Sequence, residues 1–257
     1  MATMVVTATG ALATCFPVAQ GPANPLTVDV IPAAFQPTAL PADGEVRISF
    51  LGHSSFLIET PEGATAITDY NGAIRLAAVP DIITMNNAHS SHYTDFPDPE
   101  IKHVLRGWGQ GGGMTVHDLV ERDLRVRNVP TNVREVGGTR YNGNSIFVFE
   151  IADLCIAHLG HLHHTLTDQH LGELGFIDIL LVPADGIYTM AQELMVEVVR
   201  QISPTLVIPM HYFSPQTLAR FLALIEDHYQ PIFSESPTVT LSSLKLPFHK
   251  VLVLPGW

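Results

Sequence analysis

Hydrophobic and polar positions alternate along residues 45–69, the pattern of half-buried β-strands. Gly52 and Gly63 mark turns that divide this segment into three successive strands. Further short apolar or alternating runs cover residues 82–85, 124–129, 145–151, 154–157, 179–182, 206–208 and 251–254. So many short strands in one chain predict a sandwich of two β-sheets.

Two amphipathic helices are predicted in the second half of the chain. Thr189 with Gln192 three residues later has the pattern of a capping box, and Pro204 closes the helix that it opens. Ser214 as the N-cap and Pro215 at the first helical position begin the second helix. The apolar residues recur at helical spacing: Leu194, Met195, Val198, Val199 and Ile202 in the first helix, and Leu218, Phe221, Leu222 and Ile225 in the second. We expect both helices to cover the outer face of a sheet.

Length and charge narrow the class of protein. The chain has 257 residues, 46% of them hydrophobic and 15% charged, and no linker divides it, so we expect one functional unit with a sizeable core. The formal net charge of −12, with no cluster of Lys or Arg, argues against a nucleic-acid partner. A small-molecule substrate fits better, and the sequence leaves the oligomeric state open.

The N-terminus has two interpretations. Residues 4–19 have the apolar character of an export signal but lack its basic start, so residues 1–44 are either the remnant of such a signal or an apolar arm on a domain of residues 45–257. The first interpretation predicts a periplasmic or secreted protein, and the second is compatible with the cytoplasm. No other stretch approaches the ~20 apolar residues of an integral membrane span. Cys15 and Cys155 lie in very different contexts, and we expect neither a disulfide framework nor a CxxC metal site.

The segment of residues 106–114 reads RGWGQGGGM and has no periodicity, so it is predicted to be a loop. It is either a flexible connector or a mobile flap that carries Trp108 over a cleft.

Histidines follow four separate predicted strands, and strand ends are where sites are commonly built. The histidines at these positions are His53; His89 and His92; His158, His161, His163 and His164; and His211. Taken singly, each would more often be a structural or surface residue. Their grouping favours a metal site, because three or four imidazole nitrogens form a natural tetrahedral shell for Zn²⁺.

The order of motifs resembles the metallo-β-lactamase superfamily, and within it the hydrolases similar to ascorbate-6-phosphate lactonase. The motifs are GHSSFLIE, ITDY, a His-rich loop, IAHLGHLHHTLT, DILLVPADGIYT and VIPMHY, and they span residues 45–212. The resemblance implies an α/β fold: an αββα sandwich of two mixed β-sheets flanked by helices.

The chain departs from the ligand pattern that the resemblance implies. Where the family has His-x-His-x-Asp-His, this chain places Asn87 at the first histidine and Ser91 at the aspartate. Val133 stands at the position of a further histidine ligand, and His161 replaces the bridging aspartate. We therefore expect the first of the family's two metal positions to be empty.

The remaining residues predict one divalent metal, Zn²⁺ first, with Mn²⁺ and Fe²⁺ as alternatives. His92, His161 and His211 are the expected ligands, and His89 is either a fourth ligand or a group that orients the water. A shell of neutral nitrogens favours a metal-bound hydroxide, a nucleophile at neutral pH.

Other residues are expected to support this centre. Asp69 is predicted to accept a proton from a ligand histidine. Asp185 is either a turn residue or a carboxylate that serves as a base or replacement ligand. The residues expected to pack around the ligands are His53, His158, His164 and Asn87. His163 is expected to be exposed.

Two functions follow. The first is a metal-dependent hydrolase that acts on an ester, lactone, amide or phosphoester of a small molecule. The alternative is a non-catalytic member of the fold that keeps the pocket to hold a metal or ligand, since fold alone does not fix function.

Overall fold

The computed structural model describes Cys15 and residues 39–74 and 78–256, which form two facing β-sheets. Most of the predicted N-terminal arm therefore lies outside the described residues. The first sheet has, in spatial order, β13 (Thr238–Ser242), β1 (Glu45–Gly52), β2 (Ser55–Glu59), β3 (Thr65–Ile67), β4 (Ile82–Met85) and β5 (His103–Arg106). Its strands are antiparallel from β13 to β3 and parallel from β3 to β5.

The second sheet has eight strands and is also mixed. Its spatial order is β12 (Gln230–Phe233), β14 (Lys250–Val253), β11 (Leu206–Met210), β10 (Ile179–Pro183), β9 (Leu154–His158), β8 (Gly138–Ile151), β7 (Leu124–Glu135) and β6 (Asp118–Glu121). The strands from β12 to β9 are parallel, and β9 to β6 are antiparallel. All residues of β9, β10 and β11 are buried, because this parallel part of the sheet is covered on both faces.

The two sheets bury a common core between them. Phe56 on β2 and Ile48 on β1 meet Phe147 on β8 and Ile208 on β11, and all four side chains are fully buried. The strand pattern of residues 45–69 predicted this inward face. The two mixed sheets confirm the expected fold class.

The helices of the described chain pack on the outer face of the eight-stranded sheet. They are α1 (Asp168–Leu174), α2 (Gln192–Ile202) and α3 (Pro215–Ile225). Leu174, Met195 and Phe221, one from each helix, are buried in the same apolar cluster as Val182 of β10. On the six-stranded sheet, by contrast, the outer residues Ile67 and Met85 are covered in part by irregular chain carrying Ile101 and Trp108. None of the helices in the described segments is long and apolar enough to cross a membrane.

The predicted capping box at Thr189 is wrong. The helix begins at Gln192 with Ala191 at the N-cap, and the Thr189 hydroxyl instead donates to Asp185 Oδ1 at 2.6 Å. The prediction at Ser214 is confirmed, since its side chain accepts a hydrogen bond from the backbone amide of Thr217.

The expectation that the two cysteines form no disulfide is also wrong. Cys15 and Cys155 are bonded across 140 residues of sequence, with their Cα atoms 5.7 Å apart, and both are buried in the core beneath the helices. The Cys15 carbonyl oxygen further accepts a hydrogen bond of 2.6 Å from the amide of Phe176. The N-terminal segment is thus covalently joined to β9 at residue 15.

Candidate metal centre

Three histidines from different strand ends meet where the two sheets face each other. His53 lies in the turn between β1 and β2, His92 in the loop after β4, and His211 directly after β11. Each offers one ring nitrogen, and the three nitrogens lie within 4.8 Å of one another. Such a cluster of neutral donors suits a divalent cation such as Zn²⁺.

The other ring nitrogen of each histidine is already engaged. His92 Nδ1 lies 2.7 Å from Asp69 Oδ2, His211 Nδ1 lies 3.1 Å from Asp185 Oδ1, and His53 Nδ1 lies 3.0 Å from the Ser54 hydroxyl. In all three rings Nε2 is therefore the nitrogen that remains to bind a metal. His92 Nε2 is fully buried and has no hydrogen-bond partner. A buried nitrogen left in this state costs free energy unless a ligand satisfies it, so these residues fit a metal.

Asp69 holds the His92 ring in place. It is completely buried, and its two oxygens accept hydrogen bonds from the Asn86 amide at 3.0 Å and from His92 Nδ1. Burial raises its pKa, but the neighbouring His92 outweighs burial, and the pKa lies well below its ordinary value. Asp69 is therefore ionised and accepts a hydrogen bond from His92 Nδ1.

Asp185 closes a turn, one of the two alternatives that the sequence left, and it also contacts a candidate ligand histidine. Its Oδ2 accepts hydrogen bonds from the amides of Ile187 (2.8 Å), Tyr188 and Thr189, which closes a turn after β10. Its Oδ1 contacts His211 Nδ1. Burial raises its pKa, yet the hydrogen bonds from His211 and Thr189 lower it to well below its usual range. The turn thus fixes a carboxylate behind His211.

His161 lies beside the three histidines but outside the 4.8 Å group. Its ring centre is 4.8 Å from that of His92 and 5.5 Å from that of His211. Burial and the neighbouring histidines lower its pKa to about 2, so the imidazole is neutral at pH 7. The exposed ring of His89 stacks on it at 5.6 Å.

His163 is not exposed, contrary to expectation. It is partly buried, and its Nε2 lies 2.6 Å from His161 Nδ1, because the HLHH segment turns inward after β9. Burial lowers its pKa to about 4. His163 therefore belongs to the polar surroundings of the centre.

His158 and His164 make contacts with the backbone. The Gly160 amide donates to His158 Nδ1, so that Nε2 donates to the Ser54 carbonyl oxygen at 2.7 Å. The Asn132 amide donates to His164 Nε2 at 3.0 Å, and His164 Nδ1 donates to the carbonyl of Thr165. His158 thus supports the segment between His53 and Ser55, whereas His164 supports the β7–β8 hairpin.

An amide and a guanidinium occupy the region where the resemblance implied further imidazoles. Asn87 is buried, and its side-chain oxygen accepts a hydrogen bond of 2.8 Å from Arg140 Nη2. Val133 is buried on β7. Arg140 did not emerge from sequence analysis, because it lies in a polar hairpin of exposed and half-buried residues with no motif of its own.

The glycine-rich segment of residues 106–114 forms the wall of a cavity of about 290 Å³ beside the centre. Trp108, Gln110 and Arg140 line it, together with Ala88. The Trp108 ring packs edge-on against Tyr93 with ring centres 5.5 Å apart, and a short 3₁₀ turn covers Gln110–Gly112. Trp108 is therefore placed at a cleft, while its motion as a flap stays a prediction.

An aromatic rim flanks the histidines on another side. Phe213 is exposed, and its ring centre lies 4.9 Å from that of His211 and 5.9 Å from that of His53. Tyr188, also exposed, packs edge-on against Phe213 at 5.5 Å. The sequence did not single out these residues, although Phe213 lies only two positions beyond His211.

Comparison with known proteins agrees with the fold. The family model of the beta-lactamase superfamily domain matches residues 47–211, more than half of the chain. A UPF0173 metal-dependent hydrolase of Carboxydothermus hydrogenoformans is 26% identical over 217 residues, covering 71% of this chain and 91% of the relative. The chain therefore belongs to the beta-lactamase superfamily.

Solved structures support the same class. A candidate Zn-dependent hydrolase of the metallo-β-lactamase superfamily from Thermotoga maritima has a TM-score of 0.59 and 27% identity, covering 81% of this chain and 98% of that one. A metallo hydrolase from Ignicoccus hospitalis, 18% identical, shares the fold with a TM-score of 0.55 and coverage of 77% and 99%. The fold, the histidine cluster and the relatives define the class as the metal-dependent hydrolases.

Proposed function

We propose that the protein binds one divalent cation, Zn²⁺, through His53, His92 and His211, and hydrolyses an ester, lactone, amide or phosphoester of a small molecule. The observation that carries the proposal is His92 Nε2, fully buried and without a hydrogen-bond partner beside two further imidazole donors. When bound, the cation lowers the pKa of a water molecule and polarises a carbonyl or phosphoryl oxygen.

The chain's own residues orient and balance the site. Asp69 and Asp185 each accept a hydrogen bond from the Nδ1–H group of a ligand histidine. Each bond fixes the proton on Nδ1, so that Nε2 is left to bind the cation. Together these two ionised carboxylates balance the charge of a divalent cation, although the ligands are neutral. This arrangement supports binding of the cation without a carboxylate ligand.

We assign His161 to the positioning of water or substrate. Its neutral imidazole lies beside His92 and His211, and its Nδ1 is held by His163. A ring with so low a pKa accepts hydrogen bonds at pH 7 but is a poor proton acceptor, so this role is one of orientation and not of general-base catalysis. His89 lies at the exposed end of the same stack.

The test combines metal analysis with hydrolysis. Purified protein is dialysed against chelator, reloaded with Zn²⁺, Mn²⁺ or Fe²⁺, and assayed on chromogenic esters, a lactone and a phosphodiester. We expect one equivalent of metal and activity that His92→Ala and His211→Ala abolish, while the exposed His228→Ala retains both. Metal binding without hydrolysis of any substrate class would favour the non-catalytic alternative, for which the replacement of two family ligands by Asn87 and Val133 is the supporting observation.

We also propose that the protein works in an oxidising compartment, because structural disulfides form and persist mainly there. Cleavage of an export signal near Ala19 would cut the peptide chain between Cys15 and the rest of the protein. Intact-mass analysis of protein from the native source distinguishes a retained, disulfide-bonded Cys15 from a chain that lacks it.

A further inference from the structure

The cavity beside the histidines, which we name the Arg140 cavity, lies between the segment of residues 108–112 and the tip of the β7–β8 hairpin at residues 140–143. Ala88, one of its lining residues, lies between Asn87 and His89 in the sequence. Trp108, another lining residue, packs against Tyr93, which directly follows His92, so one loop carries both part of the cavity wall and a candidate ligand. Its volume of about 290 Å³ is large enough to hold part of a small organic molecule.

Arg140 brings a positive charge to this cavity in a protein whose net charge is −12. Its Nη2 donates to Asn87, but its Nε is buried without a hydrogen-bond acceptor, even though Glu135 Oε1 lies 2.8 Å away as an ion-pair partner. Nη1 has no hydrogen-bond partner in the described part of the chain. A guanidinium carries five N–H donors, and with Glu135 beside Nε and Asn87 bonded to Nη2, the two donors of Nη1 and one of Nη2 remain for a ligand in the described part of the chain.

The chain makes room for this guanidinium. A Cβ atom at Gly143 would lie 2.8 Å from Arg140 Nε and 3.1 Å from Val133 Cγ2. Gly143 thus allows the Arg140 side chain to lie against the hairpin, with its head held by Asn87. Opposite it, Trp108 supplies an aromatic wall that Tyr93 supports.

We infer that the Arg140 cavity binds the anionic group of an organic substrate, a carboxylate or a phosphate, while Trp108 contacts the apolar or planar part next to that group. Arg is suited to this task because its planar fork matches both oxyanions in bidentate fashion. The inference rests on the proposed function, since the anion would anchor a substrate whose scissile bond reaches the histidines. It names Arg140 as the residue that determines the substrate class.

A binding experiment tests this without relying on turnover. Trp fluorescence of the as-purified protein, with its metal content measured, is titrated with benzoate and with phenyl phosphate, and with benzamide as the neutral comparison. We expect saturable changes with at least one of the two anions, at least tenfold weaker binding in Arg140→Gln, and no binding of benzamide. Trp108→Phe identifies the reporting residue, and the remote, exposed Arg220→Gln is expected to bind like the wild type.

Gly143→Ala gives a second variant that keeps the charge. Displacing the Arg140 head should weaken anion binding while leaving circular dichroism and metal content unchanged. Equal affinity of wild type and Arg140→Gln for both anions, or equal binding of benzamide, would overturn the inference. Failure of the proposed function appears separately, as absence of metal or of hydrolysis in protein that still binds the anion through Arg140.

Discussion

The backbone amide of His211 donates a hydrogen bond of 2.7 Å to the carbonyl oxygen of His53. His53 lies in the β1–β2 turn of the six-stranded sheet and His211 directly follows β11 of the eight-stranded sheet, so this bond links the two sheets at the candidate centre. Both residues have a positive φ, 56° and 54°, which is uncommon for residues other than glycine. Strained backbone of this kind often marks a functional position.

The ligand set is the first prediction. His53→Ala and His92→Ala should each remove one of three nitrogens and lower Zn²⁺ affinity by more than the roughly 10- to 100-fold that loss of an outer hydrogen-bond partner costs. His161→Ala should lower affinity less, because its ring lies outside the group of three. Competition with a chromophoric chelator measures these affinities, with His228→Ala as the matched control. A loss in His161→Ala that exceeds the loss in His53→Ala would make His161 the third ligand.

The second prediction concerns stoichiometry. Because Asn87, bonded to Arg140, and Val133 replace two imidazoles, we expect one metal per chain. Elemental analysis after loading with excess Zn²⁺ and gel filtration measures the ratio. Two tightly held equivalents in the wild type, falling to one in Asn87→Ala, would contradict it.

The third prediction concerns Asp69. Asp69→Asn should retain the hydrogen bond from the Asn86 amide but lose the negative charge behind His92, and Zn²⁺ affinity should fall about 10- to 100-fold. The exposed Asp168→Asn should leave the affinity unchanged. If Asp69→Asn binds Zn²⁺ as tightly as the wild type, Asp69 has only a structural role.

The fourth prediction is a pH dependence of stability at Asp178, away from the centre. Burial raises the pKa of this carboxyl to about 6, against the opposing hydrogen bond from the Cys155 amide. The folded state thus binds the proton more tightly than the unfolded state, so stability falls as the pH rises from about 4 to about 6. Asp178→Asn should be more stable than the wild type at pH 7, by about 1 to 2 kcal/mol after allowance for partial solvation.

Urea unfolding of both proteins at pH 4 and pH 7 measures this difference. The advantage of Asp178→Asn should shrink or vanish at pH 4, where the wild-type carboxyl is protonated. Asp168→Asn, whose carboxylate is exposed, should follow the wild type at both values. A constant difference between Asp178→Asn and the wild type across this range would show that the raised pKa does not control it.

Much of this fold could be predicted from the local pattern of hydrophobic and polar residues, whereas the candidate site could be predicted only in part. The strands of the core alternate or run apolar because one or both faces are buried, which is why β1, β2 and β10 were predictable. The four edge strands, β5, β6, β12 and β13, were missed because each has only four or five residues, and all but β13 bury at most one of them. The short α1 was missed for a related reason, since it buries only Leu174.

The residues at strand ends were predictable, whereas their contacts were not. His92 and His211 were identified because they follow predicted strands, and Asp69 because the resemblance implied an aspartate at its position. The position of His53 depends on its own left-handed backbone conformation, which no sequence motif predicts. The pairing of Asp185 with His211 and of Arg140 with Asn87 likewise depends on how β10, β11 and the β7–β8 hairpin are placed in three dimensions.

The last prediction concerns the disulfide between Cys15 and Cys155. Cys155→Ser should lower the free energy of unfolding by about 2 to 4 kcal/mol, and a reducing agent should have the same effect on the wild type but none on the variant. Deletion of residues 1–25 removes Cys15, and the shortened chain should match Cys15→Ser if the N-terminal arm adds no packing of its own. Thermal unfolding with and without reductant measures these effects. A deletion that costs clearly more than Cys15→Ser would show that the arm is part of the domain.

The same disulfide restricts the order of events during synthesis of the chain. Cys15 leaves the ribosome 140 residues before Cys155, which at about 5 to 20 residues per second is a delay of roughly 7 to 28 seconds. During that interval the first thiol has no partner within the chain, and five of the six strands of the first sheet, β1 to β5, are synthesised before the bond can form. Closure of the disulfide must therefore follow the emergence of β9, and it becomes possible before the three helices, which all follow Cys155 in the chain, have been synthesised.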